Sequence, residues 1–418
     1  MTARLNTEEK KPGFFYGWVV VFACFLATLT LGETFWCFNV FFEPLEDEFA
    51  WSRAVTGSAY TCFLIGHAIS LIIGGRLGDR FSPRPILLAT AVIAGTAIAL
   101  CSQTHSVNQL RLFLFIAGLG AGPMWSVSTS TIVRWFSGHK RASLALAVTT
   151  TGVGVGAIIF APLIRYFIST YGWRDAFLYV GIIMSVIVLA SALLVRPAPQ
   201  TRAGPDSPPG AKSTDSAPAH RRRPRRAVIA PFLTVTFIIT VAIFSFQAVN
   251  VHLAIHATDM GISSTAAAFA VGLMGGFSIP GRLISSFISN AVGWRRTLAL
   301  AVFGMALSLP WLLFLDAAWM LYVFAFCYGV CHGIRVPAQI GILAQAFGVS
   351  SLGQLVGIST AVGQLFGATA PYAMGFIYDR TGSYSTGFYI LIAMLVATGI
   401  LAFMIKGRPK AAPESTGH

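Results

Sequence analysis

Arg282 stands in GLMGGFSIPGRLISSFI, a run that is otherwise apolar, small or hydroxylated. A charge at the centre of a lipid-embedded helix costs roughly 2.5–3.5 kcal/mol even on lenient insertion scales, so a residue kept there needs a task or a partner. The planar guanidinium fork matches the two oxygens of a carboxylate, which makes anion binding the chemistry to expect. On a helix, Ser278, Arg282, Ser285 and Ser289 fall on one narrow stripe, suited to a cavity or another helix rather than to lipid. The alternative is an arginine bonded to backbone carbonyls at a seam between helices. Arg282 and Ser278 are therefore substrate-site candidates.

A second polar stripe lies in FCYGVCHGIRVPAQ, where Cys327, Tyr328, Cys331, His332 and Arg335 share one side of a helix. Tyr328 could donate to a substrate oxygen. His332 could bind substrate, titrate, or serve as a hydrogen-bonded packing residue. Arg335, just before Pro337, is expected as a gate contact nearer the cytoplasm. Glu33 is the one acid well inside the first apolar run, and a carboxyl held neutral there would suit a proton carrier; the competing reading pairs it with a nearby base.

In FSFQAVNVHLAIHATDMGIS, Gln247 and Asn250 share one face, while His252 and His256 share another at i, i+4. That histidine spacing fits a metal, but no carboxylate or third ligand accompanies it, so neither metal nor cofactor is expected. Asn250 joins the substrate candidates, His252 is a second candidate for a coupling proton, and the lone His67 is expected to be structural. Trp125, in GAGPMWSVSTST, is a candidate wall for an apolar substrate tail, together with Trp36 and Tyr328. Gly152, Gly154 and Gly156 do not form a phosphate loop, since they lie inside an apolar span with no Lys-Ser/Thr pair after them.

The elements that must hold these residues are membrane spans. Of 418 residues, 55% are hydrophobic and 11% charged, and the mean hydropathy is +0.72, against about 25% charge in soluble domains. A bilayer core needs about 20 apolar residues per helix. Runs of that kind occur near 15–42, 54–76, 84–102, 109–133, 141–169 and 175–195, then near 229–255, 265–289, 297–315, 318–346, 353–378 and 384–406. The reading is an all-α membrane protein of twelve spans: a bundle of six over 1–195, a basic linker over 196–228, and a second bundle with a short tail over 229–418. The linker, rich in Pro, Ser, Gly and Ala and ending in RRRPRR, cannot build a packed core. The first run is too long for a signal peptide's apolar region and is expected to stay in the mature chain.

The net charge of +14 sits in short connectors rather than on one basic face, so nucleic acid is not an expected partner. Arg76, Arg80 and Arg84 follow the second span, Arg134, Lys140 and Arg141 the fourth, Arg295 and Arg296 the eighth, and Lys406, Arg408 and Lys410 the twelfth. The opposite side carries the acidic FFEPLEDEFAW. By the positive-inside rule both termini are expected in the cytoplasm. The six cysteines all fall in apolar runs without a CxxC pair and read as packing residues. The halves echo each other, GGRLGDRFSPRP after the second span matching SSFISNAVGWRRT after the eighth, as in transporters that rock around a midplane site.

GGRLGDRFSPRP resembles the signature of the major facilitator superfamily between its second and third helices. Within it, YGWVVVFACFLATLTLGETFWCFNVFFEPLEDEF and RWFSGHKRASLALAVTTTG are similar to the monocarboxylate transporters and their bacterial relatives, with the oxalate/formate exchangers nearby. The resemblance implies a cytoplasmic charge lock, carried here by Asp79, Arg80 and Arg134 with Arg335, and an eighth-helix arginine that pairs with a substrate carboxylate, at Arg282. It departs in three places: Trp36 stands where the animal transporters keep a lysine, Ser278 where they keep an aspartate, and their acidic–Gly–aromatic opening of the first helix is reduced to Tyr16-Gly17-Trp18. Their proton relay therefore cannot be copied over.

The expected function is secondary active transport of small monocarboxylates of the lactate/pyruvate class, coupled to protons by alternating access. The alternative is an exchanger of the oxalate/formate type, which would need a second cation facing the site, a part open to Arg335. A drug/proton efflux pump would leave Arg282 without a task. No span contains paired carboxylates, a histidine–acid cluster or a triad, so an enzyme is not expected. The expected setting is the inner (plasma) membrane of a bacterium, with a monomeric functional unit.

Overall fold

The computed structural model describes residues 15–136, 139, 141–198, 225–347 and 352–404. Residues 1–14, 199–224 and 405–418, which hold most of the expected linker and both tails, lie outside them. Among the described residues the chain is helical throughout, without strands. Helix α1 spans Gly17–Trp36, and a 3₁₀ turn at Phe38–Phe41 leads into the short α2, Phe42–Phe49. There follow α3 (Arg53–Arg80), α4 (Pro83–Leu100), α5 (Val107–Trp135), α6 (Ala142–Tyr171) and α7 (Trp173–Leu194). The second half holds α8 (Arg225–Asp259), α9 (Ser264–Val292), α10 (Trp294–Ser308), α11 (Ala318–Phe347), α12 (Leu352–Gly367), α13 (Ala370–Thr381) and α14 (Ser385–Met404).

Among the described residues eleven helices are long and apolar enough to cross a membrane. The twelfth crossing is the broken pair α12 and α13, where the sequence suggests one continuous run. The break falls at Ala368–Thr369, beside Gly367 and Pro371, whose ring supplies no N–H to carry the ladder on. The first run also divides, because α1 ends at Trp36 and Phe38–Phe49 turn aside as a 3₁₀ turn and α2. Local chemistry sets the ends. Ser52, Ser106 and Ser263 accept from the N–H three residues on, as N-caps do. Gly172, Gly293 and Gly382 close helices at positive φ, where a side chain would be strained.

The packing repeats. In the first half α3 lies on α5, α1 on α6 and α4 on α7; in the second, α9 lies on α11, α8 on α12 and α10 on α14. The halves meet through α6 on α9 and α3 on α13, again equivalent positions. Residues facing away from the bundle are apolar: Phe287, Leu307 and Phe314 are 72–81% exposed, which suits lipid and not water.

Candidate functional site

Glycine brings the two polar stripes together. A Cβ at Gly333 of α11 would collide with the Ser278 carbonyl of α9, and one at Gly281 with the Val330 carbonyl. Only hydrogen fits there, so α9 and α11 run backbone against backbone. Arg282, His332 and Arg335 thereby line one cavity of about 250 Å³, near the lower end of the ~300–1,000 Å³ usual for small-molecule sites. Trp36, Trp125, Val153, Ile243 and Phe246 form its apolar wall, and His67, Gln247, Gln339, Thr360 and Gln364 add polar groups. Among the described residues no Asp or Glu lines it.

The two guanidinium groups are poorly matched. Arg282 Nη1 donates to the Thr150 carbonyl of α6 at 3.1 Å, and Arg335 Nη1 to Gln339 Oε1 at 2.8 Å. Both acceptors are neutral. The Nε of each arginine is buried with no acceptor, and His332 Nδ1 and the Oε1 atoms of Gln247 and Gln364 are buried without a hydrogen-bond partner. The imidazole of His332 stacks on Phe246, centroids 4.0 Å apart, with Trp36 edge-on at 5.9 Å. Unpaired buried polar groups are few in folded proteins; five on one cavity mark a surface built to receive polar atoms.

Other sequence candidates lie elsewhere. Ser278, Ser285 and Ser289 are buried and each donates to a carbonyl of α9. Tyr328 is buried against Phe324 and is not a lining residue. Asn250 donates to the Phe35 carbonyl at 2.6 Å, and its own carbonyl accepts from Asn39. Glu33 is enclosed within the first half, in a void of about 20 Å³ among Cys37, Phe41, Tyr60 and Phe177, with Oε2 unpartnered. His67 reaches the cavity wall. Arg134 donates to the Gly78 carbonyl at 2.7 Å and Arg80 is exposed; the Asp79 side chain lies outside the described set. Among the described residues no three His, Cys, Asp or Glu side chains group closely enough to hold a metal ion.

The side of the molecule away from the basic connectors is closed by charges that the sequence analysis did not single out. Arg53, at the start of α3, makes a bidentate ion pair with Asp259 at the end of α8, its Nη2–Oδ1 distance being 2.6 Å. Glu46 of α2 lies 3.5 Å from Arg53 Nε. The Asp379 carboxylate of α13 accepts from the N–H groups of Arg53 and Ala54, both at 3.0 Å. The guanidinium lies over the Tyr378 ring, 3.8 Å from its centroid, and 5.3 Å from that of Tyr384. His252 bridges Tyr384 Oη and the Pro371 carbonyl, each at 2.8 Å; His256 bonds the Leu312 carbonyl at 2.9 Å. Two carboxylates, Asp259 and Glu46, thus contact the Arg53 guanidinium where the two halves meet, and a third, Asp379, caps the backbone at the start of α3. Burial, with Asp259 and Asp379 adding to it and Arg53 opposing it, pushes the Glu46 carboxyl up to about 7. The cavity lies on the basic-connector side of this seal. A pairing between residues more than 200 positions apart leaves no periodic signal; the acids in FFEPLEDEFAW were the one visible hint.

A family model described as the Major Facilitator Superfamily matches residues 24–318 and 240–418. The chain is 29% identical to monocarboxylate transporter 13 of Rattus norvegicus over 407 residues, covering 95% of this chain and 90% of the relative. It is 27% identical to monocarboxylate transporter 11 of Homo sapiens, covering 99% and 87%. A cis,cis-muconate transport protein of Acinetobacter baylyi is 26% identical, covering 96% and 97%. Among solved structures, a D-xylose–proton symporter superposes with a TM-score of 0.73 at 15% identity, covering 93% of this chain and 98% of that one. A bacterial homolog of the lysosomal transporter Spinster gives 0.70 at 17%, covering 94% and 96%.

Proposed function

From the major facilitator superfamily, to which this chain belongs, we propose that it is a carrier of small organic carboxylates working by alternating access. It is a multi-pass membrane transporter and not an enzyme. The observation that carries the substrate reading is Arg282: a guanidinium on a cavity without a lining acid among the described residues, hydrogen-bonded to a neutral carbonyl of the opposite half. A carboxylate is a stronger acceptor than an amide oxygen and would displace that bond. The names of the monocarboxylate and muconate relatives support the organic-acid class. With the basic connectors in the cytoplasm, the cavity faces inward and the Arg53–Asp259 seal closes the outside.

Proton symport is the coupling we propose. Closing the outer face gathers Glu46, Asp259 and Asp379 around Arg53 alone, and that excess of negative charge favours a proton on Glu46. Lactate or pyruvate satisfies Arg282 but leaves Arg335 matched only by Gln339.

Uptake of labelled L-lactate into proteoliposomes, with and without an inward proton gradient and with acetate, pyruvate, oxalate and adipate as competitors, tests both parts. Gradient-stimulated uptake blocked by organic acids supports symport. Uptake that ignores the gradient and needs preloaded anion would make the protein an exchanger, and no uptake or competition by any acid would sink the carboxylate reading.

A further inference from the structure

The charge of the cavity sets the charge of its ligand. Arg282 and Arg335 line the same space and lie close enough for their charges to act on each other. Among the described residues no carboxylate lines that space. Arg335 is 4% exposed; its Nη1 donates to Gln339, one turn along its own helix, and its Nε has no acceptor. A residue locking the two halves would pair with an acceptor on the opposite half, as Arg53 does with Asp259. Arg335 is instead held in place by its own helix with donors to spare. A single carboxylate would neutralise Arg282 and leave Arg335 as an uncompensated charge away from water, which is costly.

Resting on the carboxylate reading above, we infer that the preferred substrate is a dicarboxylate, one carboxylate held by Arg282 and the other by Arg335, with an apolar spacer between them. The first replaces the Thr150 carbonyl and the second the Gln339 amide oxygen, each exchange trading a neutral acceptor for a charged one. Trp36, Val153, Ile243 and Phe246 meet the spacer, where a polar chain would lose water without regaining hydrogen bonds. Arg335 is then the residue that separates diacids from monoacids, and Arg282 the anchor common to both.

The test is calorimetric binding to the purified full-length protein at neutral pH. The probes are linear dicarboxylates of two to eight carbons, each set against its own monomethyl ester, which keeps the skeleton and removes one charge. At least one diacid is expected to bind about tenfold or more tighter than its half-ester, the scale of one charge-assisted pair. Arg335→Gln should collapse that ratio to about twofold or less by weakening the diacid, and Arg335→Lys should keep part of it. Arg282→Gln should weaken diacid and half-ester alike. Half-esters that bind as well as their diacids across the series would overturn the inference while leaving the carboxylate reading intact. So would an Arg335→Gln protein, folded by its melting profile, that weakens both ligands equally, the behaviour of a gate. If no carboxylate of either kind binds, the carboxylate reading falls and the inference with it.

Discussion

Replacing Glu46 with Gln should uncouple the outer seal from pH. In the closed form Glu46 and Asp259 both meet the Arg53 guanidinium, while Asp379 accepts from the backbone N–H groups of Arg53 and Ala54, and Tyr378, Tyr384, His252 and His256 complete the surroundings. The Glu46 carboxyl rises from an ordinary 4.5 to about 7 there; once the halves part, water returns it to the ordinary value. Below pH 4.5 both forms hold the proton, and pH has no leverage. From 4.5 to about 7 the open form has lost it while the closed form keeps it, so rising pH favours opening. Above about 7 both have lost it and the dependence ends. The closed-to-open ratio should therefore fall by up to tenfold per pH unit across that window, about 300-fold or ~3 kcal/mol in all as an upper limit. Nitroxide labels at Gln103 and Asp316, one on each half and both exposed, would report it by pulsed electron resonance in nanodiscs, in a cysteine-free background. The short-distance population should grow from pH 8 to pH 5. Glu46→Gln should be closed and flat, and Glu46→Asp should keep a slope. A wild-type distribution that ignores pH, or a Glu46→Gln protein with the wild-type slope, would refute the reasoning and move the titration to His252 or His256.

Arg282→Ala should reduce labelled-acid uptake in proteoliposomes to background while leaving folded protein in the membrane; uptake near wild type would remove Arg282 from the site. Arg53→Ala should weaken the outer seal, seen as faster alkylation of a cysteine placed at Ala54, and the exchange Arg53→Asp with Asp259→Arg should recover much of the closure if the pair acts through its charges. Gly333→Val should force α9 from α11 and cost about 1–3 kcal/mol, read as a lower Tm in detergent and weaker acid binding; an unshifted Tm would mean the helices are less tightly apposed than the structure shows. Glu33→Gln should leave gradient stimulation in place, because Glu33 is walled off from the cavity by Cys37, Phe41, Tyr60 and Phe177; loss of stimulation would bring it back as the proton carrier.

The spans were legible because a bilayer imposes a length and a polarity that one-dimensional hydropathy records. Eleven of the twelve runs are long helices, and the exception follows from Gly367 and Pro371, residues visible in the chain whose effect depends on whether neighbouring helices satisfy the freed backbone groups. Arg282 was legible for the same reason, since a lone charge in an apolar run is conspicuous by its cost. The serines beside it misled differently: a hydroxyl in a helix can bond its own backbone, as Ser278, Ser285 and Ser289 do, so a polar stripe need not face water. Periodicity put Tyr328 and His332 on one side of α11, yet the cavity takes His332 and leaves Tyr328 packed on Phe324, because a helix face is wider than the opening it borders.

By itself the sequence determined the class of the protein, its membrane crossings and the one conspicuous charge at Arg282, all properties of local composition. Only the tertiary structure decided which polar residues share a cavity, that Arg335 joins Arg282 there, that Glu33 does not, and that Arg53 gathers Glu46, Asp259 and Asp379 at the outer seal. Those pairings span up to 326 positions along the chain. They depend on close helix contact at Gly281 and Gly333 and on the docking of one half against the other, which no local pattern encodes.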